Sequence, residues 1–357
     1  MVKDEAKRGV RTVLIMAGGA GERFWPLSTK ERPKQLLKLI DPQRSLLRIT
    51  VDRIAPLVAK EKIFIATNKI QEKAVREEFK EFPQQNIIVE PLFRDTAAAI
   101  GYSLTQIERL FPGCSVAVLP SDHLIERERL FRSVLQSGFE CAEEEGAIVT
   151  IGIAPTYPAT GYGYIELEQK LESSKGCEAP LKVAGFCEKP NLTKAESFLK
   201  SGNYLWNGGI FIFRSAVMWE AYRNLLPLHY ATLLKISKLG ADEGERVRLL
   251  FNEFERISID YGIMEKYNNI KVIPCHLGWS DIGSYEALSN IFKKEGSGSV
   301  SKGVALREIE SKNNIVIGDG IKRVSLIGVD NLIVVESDGE LLVCPRSEGE
   351  KIKLFFQ

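Results

Sequence analysis

Two hydrophobic periodicities alternate along most of the chain. Compact runs rich in Val, Ile and Leu at 12–17, 62–67, 86–90, 115–119 and 147–153 predict strands. Between them, segments 70–82, 95–111 and 128–145 repeat apolar residues every three or four positions and predict helices. This alternation predicts an α/β fold with a mixed, mostly parallel sheet covered by helices on both faces. From 161 to 214 the pattern changes to strand-like pieces, GYGYIEL, LKVAGFCEKP and GGIFIFR, which suit an antiparallel insertion carrying a second substrate site. Residues 216–256 read as helical again.

The stretch KKEGSGSVSKG at 293–303 reads as a linker. After it come short strands at regular spacing, NNIVIGD, RVSLIGV, NLIVVES and ELLVCP, which predict a small all-β unit of sandwich, barrel or β-helix type. The expected organisation is a large α/β domain over 1–292, a linker over 293–303 and a small C-terminal β domain over 304–357.

Composition narrows the partners. A chain of 357 residues with a formal net charge of +1 has no bulk attraction for nucleic acid or an anionic membrane, so a polyanion must meet a local cluster. The opening MVKDEAKRGVR is charged and lacks the apolar core of a secretory signal, and no apolar stretch approaches a membrane span. Cysteines 114, 141, 177, 187, 275 and 344 lie far apart, with no CxxC pair and no histidines at zinc spacing. Free thiols in a cytoplasmic protein are expected, with no nucleic-acid or membrane partner.

Candidate chemistry begins where the first strand ends. Gly18, Gly19 and Gly21 let backbone N–H groups approach an anion, and Arg23 and Lys34 supply charge for phosphate oxygens. The loop is not a Walker A motif, because no Lys-Ser or Lys-Thr follows the last glycine. Nor is it a dinucleotide fingerprint, because Phe24 stands at the third glycine position. Asp122, in Pro120-Ser121-Asp122-His123, follows a predicted strand and suits Mg²⁺, which takes one or two carboxylates plus phosphate oxygens and water. Asp281, in Gly278-Trp279-Ser280-Asp281-Ile282-Gly283, is the second carboxylate candidate.

Glu90 closes another predicted strand. Its two oxygens match the adjacent N1–H and N2–H₂ donors of guanine, a pair that adenine lacks. Asp95 or Thr96 suits the cap of the Ala-rich helix that follows. In Phe186-Cys187-Glu188-Lys189-Pro190, Lys189 suits a sugar phosphate and Glu188 the sugar hydroxyls. Asn207, in Trp206-Asn207-Gly208-Gly209, suits a hydroxyl in the same way, and Asp260 follows the same pattern. Taken one at a time, these residues fit a turn, a helix cap or a solvated surface better than a binding role.

Their conjunction and order are more specific. The set resembles the nucleotide-sugar pyrophosphorylases over nearly the whole chain. Gly18-Gly19-Ala20-Gly21-Glu22-Arg23 with Pro33-Lys34 is similar to the superfamily signature. Arg23-Phe24-Trp25-Pro26-Leu27-Ser28 with Gln35 points to the mannose-1-phosphate guanylyltransferase branch. Glu90-Pro91, Arg94-Asp95-Thr96-Ala97, the Asp122, Lys189 and Asn207 motifs, Ser258-Ile259-Asp260-Tyr261 and Gly278–Ser284 follow in the family's order.

The resemblance implies a Rossmann-like nucleotidyltransferase domain and a short C-terminal β-helix. It implies GTP and mannose 1-phosphate as substrates, Mg²⁺ or another divalent cation as cofactor, and a possible homodimer. Asp122 and Asp281 map to the metal ligands, Arg23 and Lys34 to triphosphate contacts, and Lys189 to the sugar phosphate. The nucleotide maps to Ala17, Gly18, Gly19, Gly21, Glu90, Thr96, Ala97 and Ser121, and the sugar to Gly163, Glu188, Asn207 and Asp260. The sequence departs from the pattern where Asp95 replaces the usual Asn, Ala98 stands near a usual Pro, and Gly208 replaces Ser. A sibling enzyme with another base or sugar and a silent nucleotide-sugar-binding regulator are the competing readings. Relatives with an appended cupin domain act as isomerases; this sequence carries no such region, and no isomerase activity is expected.

Overall fold

The computed structural model describes residues 9–19, 21–169, 179–240 and 242–356, so Ala20 and Cys177 lie outside it. The strands of the large domain are β1 (Arg11–Met16), β2 (Ile63–Asn68), β3 (Ile87–Glu90), β4 (Ser115–Pro120), β5 (Leu124–Ile125), β6 (Ile148–Ile153), β7 (Tyr164–Leu167), β8 (Leu181–Cys187), β9 (Tyr204–Arg214), β10 (Ile270–Cys275) and β11 (Trp279–Ser280). Among the described residues nine of them form one sheet, ordered β3-β2-β1-β4-β9-β6-β10-β8-β7. β1 to β4 pair in parallel, as do β6 and β10, while β9 runs antiparallel between β4 and β6. The sheet is mixed, as the periodicity predicts, but its eight neighbouring pairs divide evenly, four parallel and four antiparallel, because β7, β8 and β9 pair antiparallel.

Both faces are dry, which explains the unbroken apolar runs. In β1, Val13 and Ile15 enter one core while Leu14 enters the other, so no position in the strand's centre meets water. The helices Asp95–Leu110 and Glu128–Glu145 cover the sheet, each with one buried stripe. The second ends on Gly146 in a left-handed conformation, which satisfies the helix terminus without Cβ strain. The expected helix over 70–82 is shorter, Glu72–Glu78, and Phe79 leaves helical geometry ahead of Pro83.

The segment 161–214 is antiparallel, as expected, but it is not a separate insertion. β9 lies in the middle of the main sheet, and β7 pairs with both β8 and β9. The reason is burial: the C-terminal half of β9, Ile210-Phe211-Ile212-Phe213, is apolar on both faces and needs two covered sides.

The C-terminal strands are β12 (Val300–Lys302), β13 (Ala305–Ile309), β14 (Ile315–Gly318), β15 (Arg323–Ile327), β16 (Leu332–Ser337) and β17 (Glu340–Pro345). β12, β14 and β16 stack in parallel, as do β13 and β15, which makes successive coils of a β-helix. Three residues of the expected 293–303 linker thus form the first rung, and Val300 is buried in it. Ile315 and Ile317 of β14 and Ile333 and Val335 of β16 point to the same core as Phe24, Leu27, Leu37 and Tyr285 of the large domain. The β-helix is therefore packed directly beneath the Gly18–Lys34 loop. No described helix is long and apolar enough to cross a membrane. Cys114, Cys141, Cys187, Cys275 and Cys344 form no disulfide among the described residues.

Candidate active site

The carboxyl ends of β1, β3 and β4 open into one cavity of about 910 Å³. Gly18, Gly19, Gly21, Arg23, Lys34, Glu90, Asp122 and Asp281 all line it, although they are scattered from residue 18 to 281. Ligands bind at the carboxyl ends of parallel strands because the connecting loops splay apart there.

The glycine loop is shaped by one close approach. Gly21 has φ 67°, and a Cβ there would lie 2.5 Å from the Lys34 backbone nitrogen, so only glycine fits both the conformation and the space. Gln35 fastens the loop from below, donating from Nε2 to the carbonyls of Ala17 and Gly19, each at 3.1 Å.

Lys34 is buried, with its ammonium 2.7 Å from Asp122 Oδ2 and 2.5 Å from the Asp281 carbonyl oxygen. Burial alone would raise the Asp122 pKa, but the Lys34 charge and then His123 outweigh it and hold the carboxyl below its usual range. His123 is kept neutral chiefly by burial, and its Nδ1 accepts from Trp279 Nε1 at 3.1 Å. The two aspartates are brought together by the short antiparallel pair β5–β11, which pins Ser280 beside Leu124. Asp281 Oδ1 accepts from Tyr162 Oη at 2.8 Å and from Gly283 N at 3.1 Å. Ile282, a buried β-branched residue, is held at φ 45°, a left-handed strain that fixes the turn presenting Asp281.

At the other end of the cavity stands Glu90. It is 5 % exposed, and burial, reinforced by the charge of Asp95, pushes its carboxyl up to about 8. Phe93 and Arg256 flank this end, the guanidinium lying 5.0 Å from the ring centroid.

A second cluster adjoins the first. Asn207 Nδ2 donates to Asp260 Oδ1 at 2.8 Å, and Asn207 N donates to Gly163 O at 2.8 Å. Gly163 leaves room for the Glu188 carboxylate, which would have to swing away from a Cβ there. Burial, then the Glu188 charge, pushes Asp260 up to about 6. Asp260 opens a single π-helical turn, Asp260–Met264, not the ordinary helix cap that a lone aspartate suggests. Lys189, at φ 44°, lies 3.2 Å from Glu188 with most of its side chain in solvent. Tyr162 links the clusters, since it neighbours Gly163 and bonds Asp281.

Three expected nucleotide residues, Ala17, Ser121 and Thr96, and Ala97 with them, do not line the cavity. Ala17 and Ser121 are buried at strand ends, where Ala17 N donates to Ala66 O and Ser121 N to Met16 O. Thr96 Oγ1 accepts from Ile259 N at 2.8 Å, and Ala97 O accepts from Tyr222 Oη at 2.6 Å. Thr96 thus fastens the helix Asp95–Leu110 to the segment that carries Asp260, and Ala97 fastens it to the helix Ser215–Leu225. The residue at the helix cap, Arg94, makes no side-chain cap bond; Asp95 Oδ1 accepts from the first-turn Thr96 N at 2.7 Å, and Asp95 sits at φ 68°, a conformation that Asn and Asp tolerate best. Gly208 meets the Ile151 carbonyl so closely that a Cβ would lie 2.9 Å from its oxygen.

Sequence reasoning missed the aromatic wall of Tyr157, Tyr162, Trp206 and Trp279, whose rings meet at 4.9 to 6.4 Å between centroids. Its members come from three separate segments, so no local pattern marks them. Arg256 and Lys353 were missed for the same reason.

Comparison with known proteins agrees with this geometry. Residues 12–297 match the nucleotidyl transferase family. The chain is 38 % identical over 348 residues to mannose-1-phosphate guanylyltransferase of Salmonella montevideo, covering 96 % of this chain and 72 % of that protein. The chain belongs to the mannose-1-phosphate guanylyltransferase family of nucleotidyltransferases. Residues 307–355 match the mannose-phosphate isomerase/GMP-like β-helix domain, which is the family's name for the coils described above. The corresponding Klebsiella pneumoniae enzyme is 35 % identical, covering 95 % of this chain and 72 % of that protein. The crystal structure of mannose-1-phosphate geranyltransferase from Thermus thermophilus superposes with a TM-score of 0.84 at 32 % identity, covering 97 % and 98 % of the two chains. The family's fold is the one seen here, including the β-helix under the signature loop.

Proposed function

We propose that this enzyme joins GTP and mannose 1-phosphate to give GDP-mannose and pyrophosphate, in the cytoplasm. A sugar phosphate has a second pKa of about 6 and is largely a dianion at neutral pH, so its oxygen attacks without a general base. That oxygen forms a bond to the α-phosphorus as the bond to the bridging oxygen of the β-phosphate breaks, and pyrophosphate leaves with the electron pair. The protein's task is to neutralise and align. Arg23 and the glycine-loop amides face the triphosphate, Glu90 accepts from guanine, and Lys189 draws the sugar phosphate toward the Gly163, Glu188, Asn207 and Asp260 cluster.

The donor set suits a divalent cation. Asp122 and Asp281 are hard carboxylate ligands at one end of the cavity, and no group of three or more ligating side chains occurs among the described residues. A site that completes its shell with substrate phosphates and water is the pattern expected of Mg²⁺. Bound there, the ion would screen the charge that develops on the transferring phosphoryl group.

The observation that carries this reading is one cavity that runs from the glycine loop to a buried carboxylate at Glu90, unpaired among the described residues, with the Gly163, Glu188, Asn207 and Asp260 cluster beside it. The test is pyrophosphate release with mannose 1-phosphate and Mg²⁺, in parallel with GTP, ATP, UTP and dTTP. Release with GTP alone is expected. Release with another nucleotide would overturn the base assignment, and no release from folded protein that binds GTP would overturn the sugar or the activity.

A further inference from the structure

The cavity has a wall that does not belong to the large domain. Lys353, on the 3₁₀ segment Arg346–Phe356 that ends the β-helix, lines it together with Arg23 and Gly283. The segment is fastened to the signature loop at three points. Ile352 is buried in the core that contains Phe24 and Leu27, Phe355 stacks on Trp25 at 4.6 Å, and Glu350 lies 3.3 Å from Arg23 Nε. In a 3₁₀ helix residues three apart eclipse, so Glu350 and Lys353 share one face. That face is the one turned to Arg23.

Charge then sets Lys353 apart from the cavity's other lysines, while the other cation without a carboxylate partner among the described residues, Arg256, lies over Phe93 at the Glu90 end. Lys34 is occupied by Asp122, Arg23 by Glu350, and Lys69 by Glu72 at 2.7 Å. Among the described residues Lys353 is the cavity-lining lysine with no carboxylate or carbonyl partner. A triphosphate in the cavity brings about four negative charges next to it.

We propose that the C-terminal β-helix completes the site: Lys353 binds the leaving pyrophosphate end of the nucleotide, and Glu350 holds Arg23 in its place until those phosphates displace it. This rests on the reading of the cavity as a nucleoside triphosphate site. The Arg23–Glu350 pair is exposed on both sides and so exchanges easily for a phosphate. The nucleophile is expected to be untouched, because Lys353 lines the cavity beside Arg23 and Gly283, whereas Lys189 pairs with Glu188 in the sugar cluster.

The test separates leaving-group contact from folding. Lys353→Met is expected to weaken binding of GTP and of pyrophosphate about tenfold, as for one charge-assisted contact, while GDP-mannose affinity stays unchanged because it lacks the leaving group. Lys353→Arg is expected to restore pyrophosphate binding. Glu350→Gln is expected to tighten pyrophosphate binding or leave it unchanged. Equal losses for GDP-mannose and pyrophosphate, or no loss for either, would overturn the assignment. Wild-type turnover with GTP, measured alongside, tells a failure of Lys353 from a failure of the functional reading.

Discussion

Replacing Glu90 with glutamine tests base recognition through two measurements of opposite sign. In the free protein the Glu90 carboxyl titrates at about 8, raised by burial and then by Asp95, against an ordinary 4.5. A group with a raised folded-state value contributes stability that is complete below 4.5 and is lost as pH climbs through 8. The limit of that loss is on the order of 5 kcal/mol, since each pH unit corresponds to about 1.4 kcal/mol. Glu90→Gln removes the titration, so chemical denaturation should find the variant more stable than wild type at about pH 9 and no more stable near pH 5. GTP binding runs the other way. Guanine offers two donors and needs the ionised carboxylate, so wild-type binding releases a proton, and affinity should rise from about pH 7 to 8 and level off above it. The variant loses a charge-assisted contact of about 1.5–3 kcal/mol, roughly 10- to 150-fold in affinity at about pH 9. Titration calorimetry in two buffers of different ionisation enthalpy counts the proton directly. A wild-type-to-variant affinity ratio that does not change with pH, or binding without proton release, would refute the reasoning.

Three further outcomes follow from the geometry. Asp281→Asn, which keeps the Tyr162 and Gly283 bonds but removes the charge, should lower turnover by about 10²–10³, the loss typical of one electrostatic stabiliser; wild-type turnover would sink its role in the site. Lys189→Ala should raise KM for mannose 1-phosphate about tenfold and leave GTP binding alone, since Lys189 is exposed and pairs with Glu188 in the sugar cluster; steady-state kinetics with each substrate varied checks this. Lys34→Met should destabilise the fold by about 3–5 kcal/mol in urea titrations at about pH 7, because it orphans the half-buried Asp122; a loss under about 1 kcal/mol would show that water already satisfies that carboxylate.

The strands and long helices were legible because their periodicities are clean and both faces of the sheet are dry. Helix 128–145 coincides with its prediction, and β1 to β4 begin within a residue or two of theirs. What escaped were elements made by distant partners. β5 and β11 are two residues each and exist only because Leu124–Ile125 meets Trp279–Ser280. No sequence pattern of two residues marks a strand, yet this pair sets Asp281 near Asp122. Gly163 was found only through resemblance; its physical reason, the Glu188 carboxylate in the space of a Cβ, is visible only once β7 and β8 are paired. The same holds for Gly208, whose departure from the family's serine is required here by the approach of the Ile151 carbonyl.

The three cations that the resemblance assigns to phosphates are each held by a carboxylate: Lys34 by Asp122, Lys189 by Glu188 and Arg23 by Glu350. Their burial decides which of them a substrate can recruit. Arg23 and Glu350 are both largely in water, and Lys189 is mostly exposed, so those pairs are worth about 0–1 kcal/mol and yield readily to a stronger anion. Lys34 is buried to 7 % exposure and bonds the Asp281 carbonyl as well, so withdrawing it would strand a carboxylate and an acceptor together. Lys34 therefore acts first on the protein, holding Asp122 against the Asp281 turn. The two exposed cations belong to different parts of the molecule, Lys189 to the Glu188 cluster and Arg23 to the loop that rests on the β-helix, and each is free to exchange its carboxylate without moving Lys34.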